Sequence, residues 1–354
     1  MPTLYERVYD YKMLEKGFRQ TQIGSRKYKY PAYKLAEAKE MHLAALWRAL
    51  RDKTWRPGPY SEFYVYEPKE RLIHAPRTID KIVQYSAHQV LMDIYGPVYI
   101  KYTYAGIDGR GTHKAVDRIQ HMMRAAERQY EDPYIIKADI RKFFYSIDRD
   151  IVKKLYRKKI PAYEFDFLWL LDMILDSSPE GATGVPLGNV TSLDFTSITM
   201  NELDQYCVRY LGLKWYVRYN DDITVVVKDK ETARDVLSKM TAFVEKRLHL
   251  QFNQKTHIYP VSLGINTLGF KIYTTHKLVR DQSKRKMKRR IKAMDRKYKA
   301  GQIDEKKVKM GVNAWLGHAR HSNSYNLARR IFAKYPYIEV EDKNWKFGER
   351  HLKK

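Results

Sequence analysis

Two strand-like runs frame one short acidic segment of this chain. Lys214-Trp215-Tyr216-Val217-Arg218 and Ile223-Thr224-Val225-Val226-Val227 are rich in aromatic and β-branched residues, and between them stands Tyr219-Asn220-Asp221-Asp222. Strand patterns on both sides of an Asn-Asp-Asp turn predict a β-hairpin. Upstream, the run Tyr134 to Ile140 predicts a short strand ending in the acid Asp139, and Arg141 to Asp148 leads from it into a helical segment, Arg149 to Lys159. Residues 1 to about 60 read as helical. There the spacing of Leu35, Met41, Leu43, Leu46, Trp47 and Leu50 predicts one amphipathic helix over Tyr33 to Asp52, broken by Trp55-Arg56-Pro57-Gly58-Pro59. Two further strand-like runs, Ser61 to Tyr66 and Leu72 to Ala75, are joined by the turn-like Pro68-Lys69-Glu70.

Beyond these, Ile79 to Tyr95 and residues 112 to 128 predict helices on either side of a glycine-containing loop, Gly106 to Gly111. Pro186-Leu187-Gly188-Asn189 predicts a tight turn that opens a long helical run, Val190 to Leu211. Leu250-Gln251-Phe252 reads as a strand. In residues 281 to 300, Met287, Ile291, Met294 and Tyr298 recur at helical spacing among ten Lys or Arg, and Gly311 to Tyr335 predicts a second helical region.

The chemistry follows from the acids. Two adjacent carboxylates on a hairpin repel each other unless a cation lies between them, and a divalent metal is the usual reason to keep such a pair. A solvated turn also favours Asn and Asp, so the pair alone leaves both readings open. Asp139 at the end of a buried strand supplies a third carboxylate and predicts a site for two Mg²⁺ ions. Glu202 and Asp204 read as a structural or solvated helix face, outside that set. His113 reads as a packing or capping residue, with no metal partner at ligand spacing.

Composition narrows the partners. Lys and Arg number 67 against 41 Asp and Glu, a formal net charge of +26, which points to a polyanion. Twenty-nine Tyr and six Trp add surfaces for stacking on bases. The hydrophobic fraction of 44% over 354 residues suffices for two to three subdomains. No run of about eighteen apolar residues occurs, so no membrane partner is expected. A single cysteine, Cys207, and an amino terminus without an apolar leader imply a reducing, cytoplasmic setting.

The motifs together resemble those of bacterial reverse transcriptases, in the family's order. They are Arg71-Leu72-Ile73-His74-Ala75-Pro76 with Asp80 to Gln84; Tyr104-Ala105 with Gly109 to Ala115; the Asp139 strand; Gly184 to Ser192; the Asp221-Asp222 hairpin; Asn253-Gln254-Lys255-Thr256; and Leu268-Gly269-Phe270. The resemblance implies an α+β right-hand polymerase fold with fingers, an antiparallel palm sheet and a helical thumb. Its parts would be an N-terminal extension (1–60), fingers (61–130), palm (131–275, with fingers helix segments at about 150–185) and a basic thumb with a short tail (276–354). The implied activity is RNA-directed DNA polymerisation, a nucleotidyl transfer consuming dNTPs and making cDNA on a non-coding template RNA. A homo-oligomer or an accessory protein is a further implied partner.

It also implies roles by position. Asp139, Asp221 and Asp222, with the carbonyl of Ile140, would hold two Mg²⁺ ions. Lys69 and Arg71 would contact the triphosphate, and Lys255 the departing pyrophosphate. Phe144, five positions after Asp139, would sit as a wall under the sugar. Leu187 and Gly188 would line the nucleotide pocket. Arg110, Lys114, Tyr219, Leu268 and Gly269 would touch primer or template, and Lys284, Lys288 and Arg289 the duplex backbone. The chain departs from the family in carrying Leu187 where many members have Gln, and Ser192-Leu193 where many have Ser-Pro. The Leu-Gly-Asn-Val-Thr-Ser motif and Trp315 to Tyr325 resemble the diversity-generating retroelement enzymes, but those carry Ser-Gln at Ser192-Leu193. The departure favours the drifted, defence-linked bacterial group. A non-catalytic RNA-binding scaffold on the same fold is the alternative from another class.

Overall fold

A computed structural model describes residues 1–24, 30–66, 70–179, 181, 183–341 and 345. In chain order the helices and strands are α1 (Leu4–Tyr9), α2 (Tyr11–Thr21), α3 (Tyr30–Glu37), α4 (Lys39–Arg51), β1 (Ser61–Val65), β2 (Arg71–Ala75), α5 (Thr78–Tyr95) and α6 (Thr112–Gln129). Then come β3 (Tyr134–Asp139), α7 (Phe143–Ser146), α8 (Arg149–Lys159), α9 (Phe165–Asp176), α10 (Thr191–Gln205), β4 (Tyr216–Tyr219), β5 (Asp222–Val227) and α11 (Lys230–Leu248). The last are β6 (His257–Pro260), β7 (Ile265–Thr267), β8 (Phe270–Ile272), β9 (Lys277–Val279), α12 (Asp281–Lys299), α13 (Glu305–Ala319) and α14 (Tyr325–Phe332). Helices segregated from antiparallel strand pairs make the chain α+β.

The chain divides into two compact units. The first comprises Met1–Asp108, Ala138–Lys214 and Leu237–Thr256. Its N-terminal helices begin on local signals: Thr3 and Glu6 form a capping box on α1, and Asp10 caps α2. Leu14, Leu43, Leu46 and Leu50 are buried from α2 and α4, and Ile82, Val83, Ala87 and Val90 from α5. The β1–β2 hairpin pairs Ser61 with Ala75 through Val65 with Arg71. Asp148 caps α8 by accepting hydrogen bonds from the amides of Asp150 (2.9 Å) and Ile151 (3.2 Å).

The second unit comprises Gly109–Lys137, Trp215–Val236 and His257–Lys354. Its four-stranded sheet has the order β4-β5-β3-β6, and α6 packs on β4 and β5. A three-stranded meander, β7-β8-β9, leads to the last three helices. Their core takes Met287 and Ile291 from α12, with Val308, Val312, Leu316, Ile331 and Phe332, while Met294 and Tyr298 pack at its edge. The helical spacing of those four residues thus marks the buried stripe of a helix whose other faces carry the Lys and Arg.

Several elements differ from expectation. Tyr33 to Asp52 is two helices, interrupted at Ala38 (φ −125°), and Met41 is 64% exposed rather than part of the apolar face. Alanine gives no local reason to break a helix; α3 packs on both α4 and α5, and tertiary packing overrides propensity. The run from Val190 to Leu211 leaves the α form at Gln205 and makes one wide π turn, Tyr206–Tyr210, burying Cys207. Leu250 to Phe252 is not a strand but a single bridge, Phe252 to Ile140. The region from Gly311 to Tyr335 is two helices, the first starting earlier at Glu305 under an Asp304 cap. Of the two readings of Asp204, structural or solvated, the structural one holds: it is fully buried and accepts from the Thr103 hydroxyl (2.9 Å).

Candidate active site

The acidic hairpin lies in the second unit. Tyr219 pairs with Asp222 at the end of the β4–β5 ladder, so Asn220 and Asp221 are its two-residue loop. Asn220 has φ +54°, a conformation Asn tolerates and a two-residue hairpin needs. Asp221 is therefore a loop residue and Asp222 the first strand residue, and both are half-buried. Beneath them Arg218 is fully buried and donates from Nη1 to the Asn220 carbonyl at 3.1 Å. A buried guanidinium carries its charge to the base of the acidic turn, and charges are buried only with a partner. Arg218 belongs to no motif, and a lone Arg in an apolar strand is its only sequence signal. The Tyr219 hydroxyl is bonded to Thr112 at the start of α6 (3.1 Å).

Residues Tyr134–Lys137 of β3 belong to the second unit, next to β5 in the sheet, and the strand runs on into the first unit, ending at Asp139. In the first unit Asp139 is held from three sides. Its carbonyl accepts from the Asn253 amide (2.7 Å), its amide donates to the Thr256 hydroxyl (3.4 Å), and its Oδ2 accepts from Asn253 Nδ2 (3.1 Å). Asn253 Oδ1 in turn accepts from the amide of Lys255 (3.0 Å). Asn253 thus orients an acid, a role the sequence reading left unassigned; the Lys255 side chain is exposed. Ile140 is buried and bridged to Phe252. Lys142 then takes a left-handed conformation (φ +48°), turning the chain sharply into α7.

The residues expected to line a nucleotide pocket also lie within the first unit. Phe144 on α7 is half-buried, with its ring edge-on to Phe143 (5.4 Å) and its carbonyl bonded by the Val185 amide (2.8 Å). The following turn, Pro186 to Asn189, lies against β2. A Cβ on Gly188 would fall 2.1 Å from the His74 carbonyl oxygen and 2.8 Å from Ala75 Cα, so only glycine permits this approach. Asn189 donates to the Tyr60 hydroxyl (2.9 Å), the Val190 amide to Gln84 (3.0 Å), and the Ser192 hydroxyl to the Pro186 carbonyl (2.6 Å). Tyr145 ties α7 to β2 through the Leu72 carbonyl (3.2 Å). Leu187 is half-buried beside Gly188. Arg71 opens β2 and is exposed; Lys69 lies outside the described residues. Behind the turn, the half-buried His88 of α5 bonds the buried Asp194 of α10 at 2.7 Å, a pair that no sequence motif singles out. Burial alone would pull the His88 pKa down, but the Asp194 carboxylate outweighs it and leaves it raised.

The remaining predicted residues are in the second unit. Leu268 (φ +49°) and Gly269 (φ +87°) form the two-residue loop between β7 and β8, both in the left-handed region. A Cβ on Gly269 would meet the His318 ring at 2.9 Å. His318 stacks on Phe270 (4.2 Å), and His113 stacks on His321 (3.4 Å), so His113 is a packing residue. Burial, with His321 and His318 beside it, holds its pKa below the usual histidine range. Lys114 donates to the Gly109 carbonyl, and Arg110 is half-buried in the same loop. On α12, Lys288 and Arg289 are exposed, and Lys284 pairs with Asp281 (2.5 Å).

Asp139, Asp221, Asp222 and the Ile140 carbonyl offer only oxygen donors, the set a hard divalent cation prefers. Among the described residues no group of three or more His, Cys, Asp or Glu stands ready to hold a metal. Magnesium asks little of the protein, since one or two carboxylates suffice beside water and substrate phosphates. No described helix is long and apolar enough to cross a membrane.

The sequence matches the family described as reverse transcriptase (RNA-dependent DNA polymerase) over residues 66–272, more than half of the chain. Protein YkfC of Escherichia coli K12 is 24% identical over 291 residues, 69% of this chain and 74% of that protein. Among solved structures, apo telomerase from Candida tropicalis aligns with a TM-score of 0.46 and 11% identity, covering 62% of this chain and 48% of that one. Telomerase from Candida albicans in complex with a TWJ fragment of telomeric RNA aligns with a TM-score of 0.46 and 11% identity, covering 86% and 60%. The chain spans less than two thirds of either telomerase chain.

Proposed function

The chain belongs to the reverse transcriptase (RNA-dependent DNA polymerase) family, and on that premise we propose that Asp139, Asp221 and Asp222 form the centre of a two-metal transfer that copies RNA into DNA. Those carboxylates and the Ile140 carbonyl are the oxygens that would hold two Mg²⁺ ions, which when bound acidify the primer hydroxyl and neutralise the triphosphate. Asn253 fixes one oxygen of Asp139 and leaves the other free of that bond. Arg71, with Lys69, clamps the triphosphate oxygens, and Lys255 gives a proton to the departing pyrophosphate. Phe144 stands under the sugar and rejects a ribose 2′-hydroxyl, while Leu187 and Gly188 line the base side. Arg110, Lys114, Tyr219, Leu268 and Gly269 follow primer and template, and Lys284, Lys288 and Arg289 follow the duplex phosphates. Fingers, palm and thumb then take residues 61–130, 131–275 and 276–354.

The observation that carries this reading is the family match itself, which encloses all three acids. For the biological role, a dedicated non-coding RNA copied in antiphage defence is the reading that Ser192-Leu193 favours. A diversity-generating retroelement enzyme is the second reading, favoured by Leu187 to Ser192 and the Trp315 to Tyr325 segment. The test is to purify the protein with its co-expressed nucleic acid, then sequence the bound RNA and the DNA made with Mg²⁺ and dNTPs. A discrete RNA with a repetitive or homopolymeric product supports defence, and adenine-directed errors support the retroelement reading. Bound RNA without DNA would overturn both and leave an RNA-binding scaffold.

A further inference from the structure

A groove of about 750 Å³ opens within the first unit between α3–α4 and the β1–β2 hairpin. More than half of its lining lies before residue 66, where the family match begins. Half of its lining residues are apolar, among them Leu35 of α3, Ile79 of α5 and Phe63 of β1. Phe63 is 48% exposed, on a strand exposed along its whole length. Large exposed apolar surface beside a cleft marks a binding site. Lys34, His42, Arg77 and Lys81 also line it, and no carboxylate is among the lining residues. Arg77 grips Asp80 through Nε (2.8 Å) and Nη2 (3.0 Å), yet its side chain stays 48% exposed, so the guanidinium is fixed in plane and still reachable.

We propose that this groove binds a single-stranded stretch of RNA, with a base stacked on Phe63 and its phosphates on Lys34 and Lys81. An aromatic platform and a planar guanidinium among cations is the chemistry of unpaired bases on a charged strand. A positively charged groove on a chain of net charge +26 suits a polyanion better than a peptide. The strand that carries Phe63 pairs with β2, and β2 packs on Gly188. RNA held here therefore bears on one wall of the nucleotide pocket, in the part of that pocket contained in this unit. The groove belongs to the N-terminal helices of this chain as much as to the polymerase family's shared region.

The test is photo-crosslinking of the full-length protein to a 4-thiouridine-containing oligouridylate, with the joined peptides mapped by mass spectrometry. Crosslinks at Phe63 and in the peptides spanning residues 31–35 and 76–81 are expected. Crosslinks confined to α12 would overturn the proposal. In parallel, K34A/K81A should flatten the dependence of log affinity on log salt by about 1.4, roughly 0.7 per phosphate contact on single strands. F63A should weaken binding about tenfold. Unchanged salt slope and affinity would overturn it as well. Both variants should extend a primer–template too short to reach beyond the pocket at the wild-type rate. Loss of RNA binding with that activity intact separates this site from the polymerase reading.

Discussion

Replacing Gly188 with alanine tests whether the turn before α10 and the strand β2 are one rigid wall of the proposed nucleotide pocket. The added Cβ would lie 2.1 Å from the His74 carbonyl oxygen, 2.8 Å from Ala75 Cα and 2.9 Å from the His74 carbonyl carbon. All three atoms are backbone, in a strand paired to β1, so no side chain can rotate away. Ordinary contact begins near 3.4 Å, which requires the turn and the strand to part by about 1.3 Å. Overpacking of this kind costs about 1–3 kcal/mol, and a 1 Å misplacement in a reaction site costs about 100-fold in rate. The assay is steady-state dNTP incorporation on one RNA template with thermal unfolding of the same samples. G188A is expected to melt lower and to lose about 10- to 100-fold in kcat/KM for dNTP. Gly317 is the control: it lies within α13 with no atom near its added Cβ, so G317A should stabilise by about 0.5–1 kcal/mol and leave kcat/KM unchanged. A G188A protein that melts and polymerises like the wild type would refute the reasoning.

Asn253→Ala removes the amide that holds Asp139 Oδ2, and the Mg²⁺ concentration for half-maximal activity should rise about 10-fold or more; an unchanged Mg²⁺ titration would deny Asn253 that role. Leu268 holds a left-handed conformation at a cost of about 1 kcal/mol, so Leu268→Asn should raise the unfolding free energy while primer extension falls, and a drop in both would point to simple packing. The His88 pKa is raised in the folded state, so its pair with Asp194 contributes stability fully below about pH 6.5, lost as pH climbs through the raised value. His88→Gln should therefore lie furthest below the wild type in stability at pH 6 and approach it by pH 9; a constant gap would mean the pair does not titrate in that window.

The acidic hairpin was legible because β-branched runs and an Asn-Asp loop are local signals, and the observed register makes Asn220-Asp221 the two-residue loop. The stripe Met287, Ile291, Met294 and Tyr298 was legible for the same reason: a period of 3.6 survives whatever the helix packs on. Three kinds of feature were not legible. The break at Ala38 is imposed by what α3 packs against, and alanine carries no trace of it. Asn253 acts on Asp139 across a long stretch of sequence, and the two meet only once the Gln251–Thr256 segment has packed along the end of β3, through the Ile140–Phe252 bridge and the backbone bonds beside it. His88 and Asp194 sit as polar residues in helical patterns that look solvated until α5 and α10 are packed. The π turn that buries Cys207 left no mark in the helical pattern from Val190 to Leu211.

The most direct test of the central claim is single-turnover extension of a DNA primer on a defined RNA template with dNTPs and Mg²⁺, comparing wild type with D139A, D221A and D222A proteins of equal RNA affinity. Templated extension by the wild type is expected, with its loss in all three variants while RNA binding persists. Extension that survives removal of any one of these acids, or its absence from the wild type under the same conditions, would contradict it.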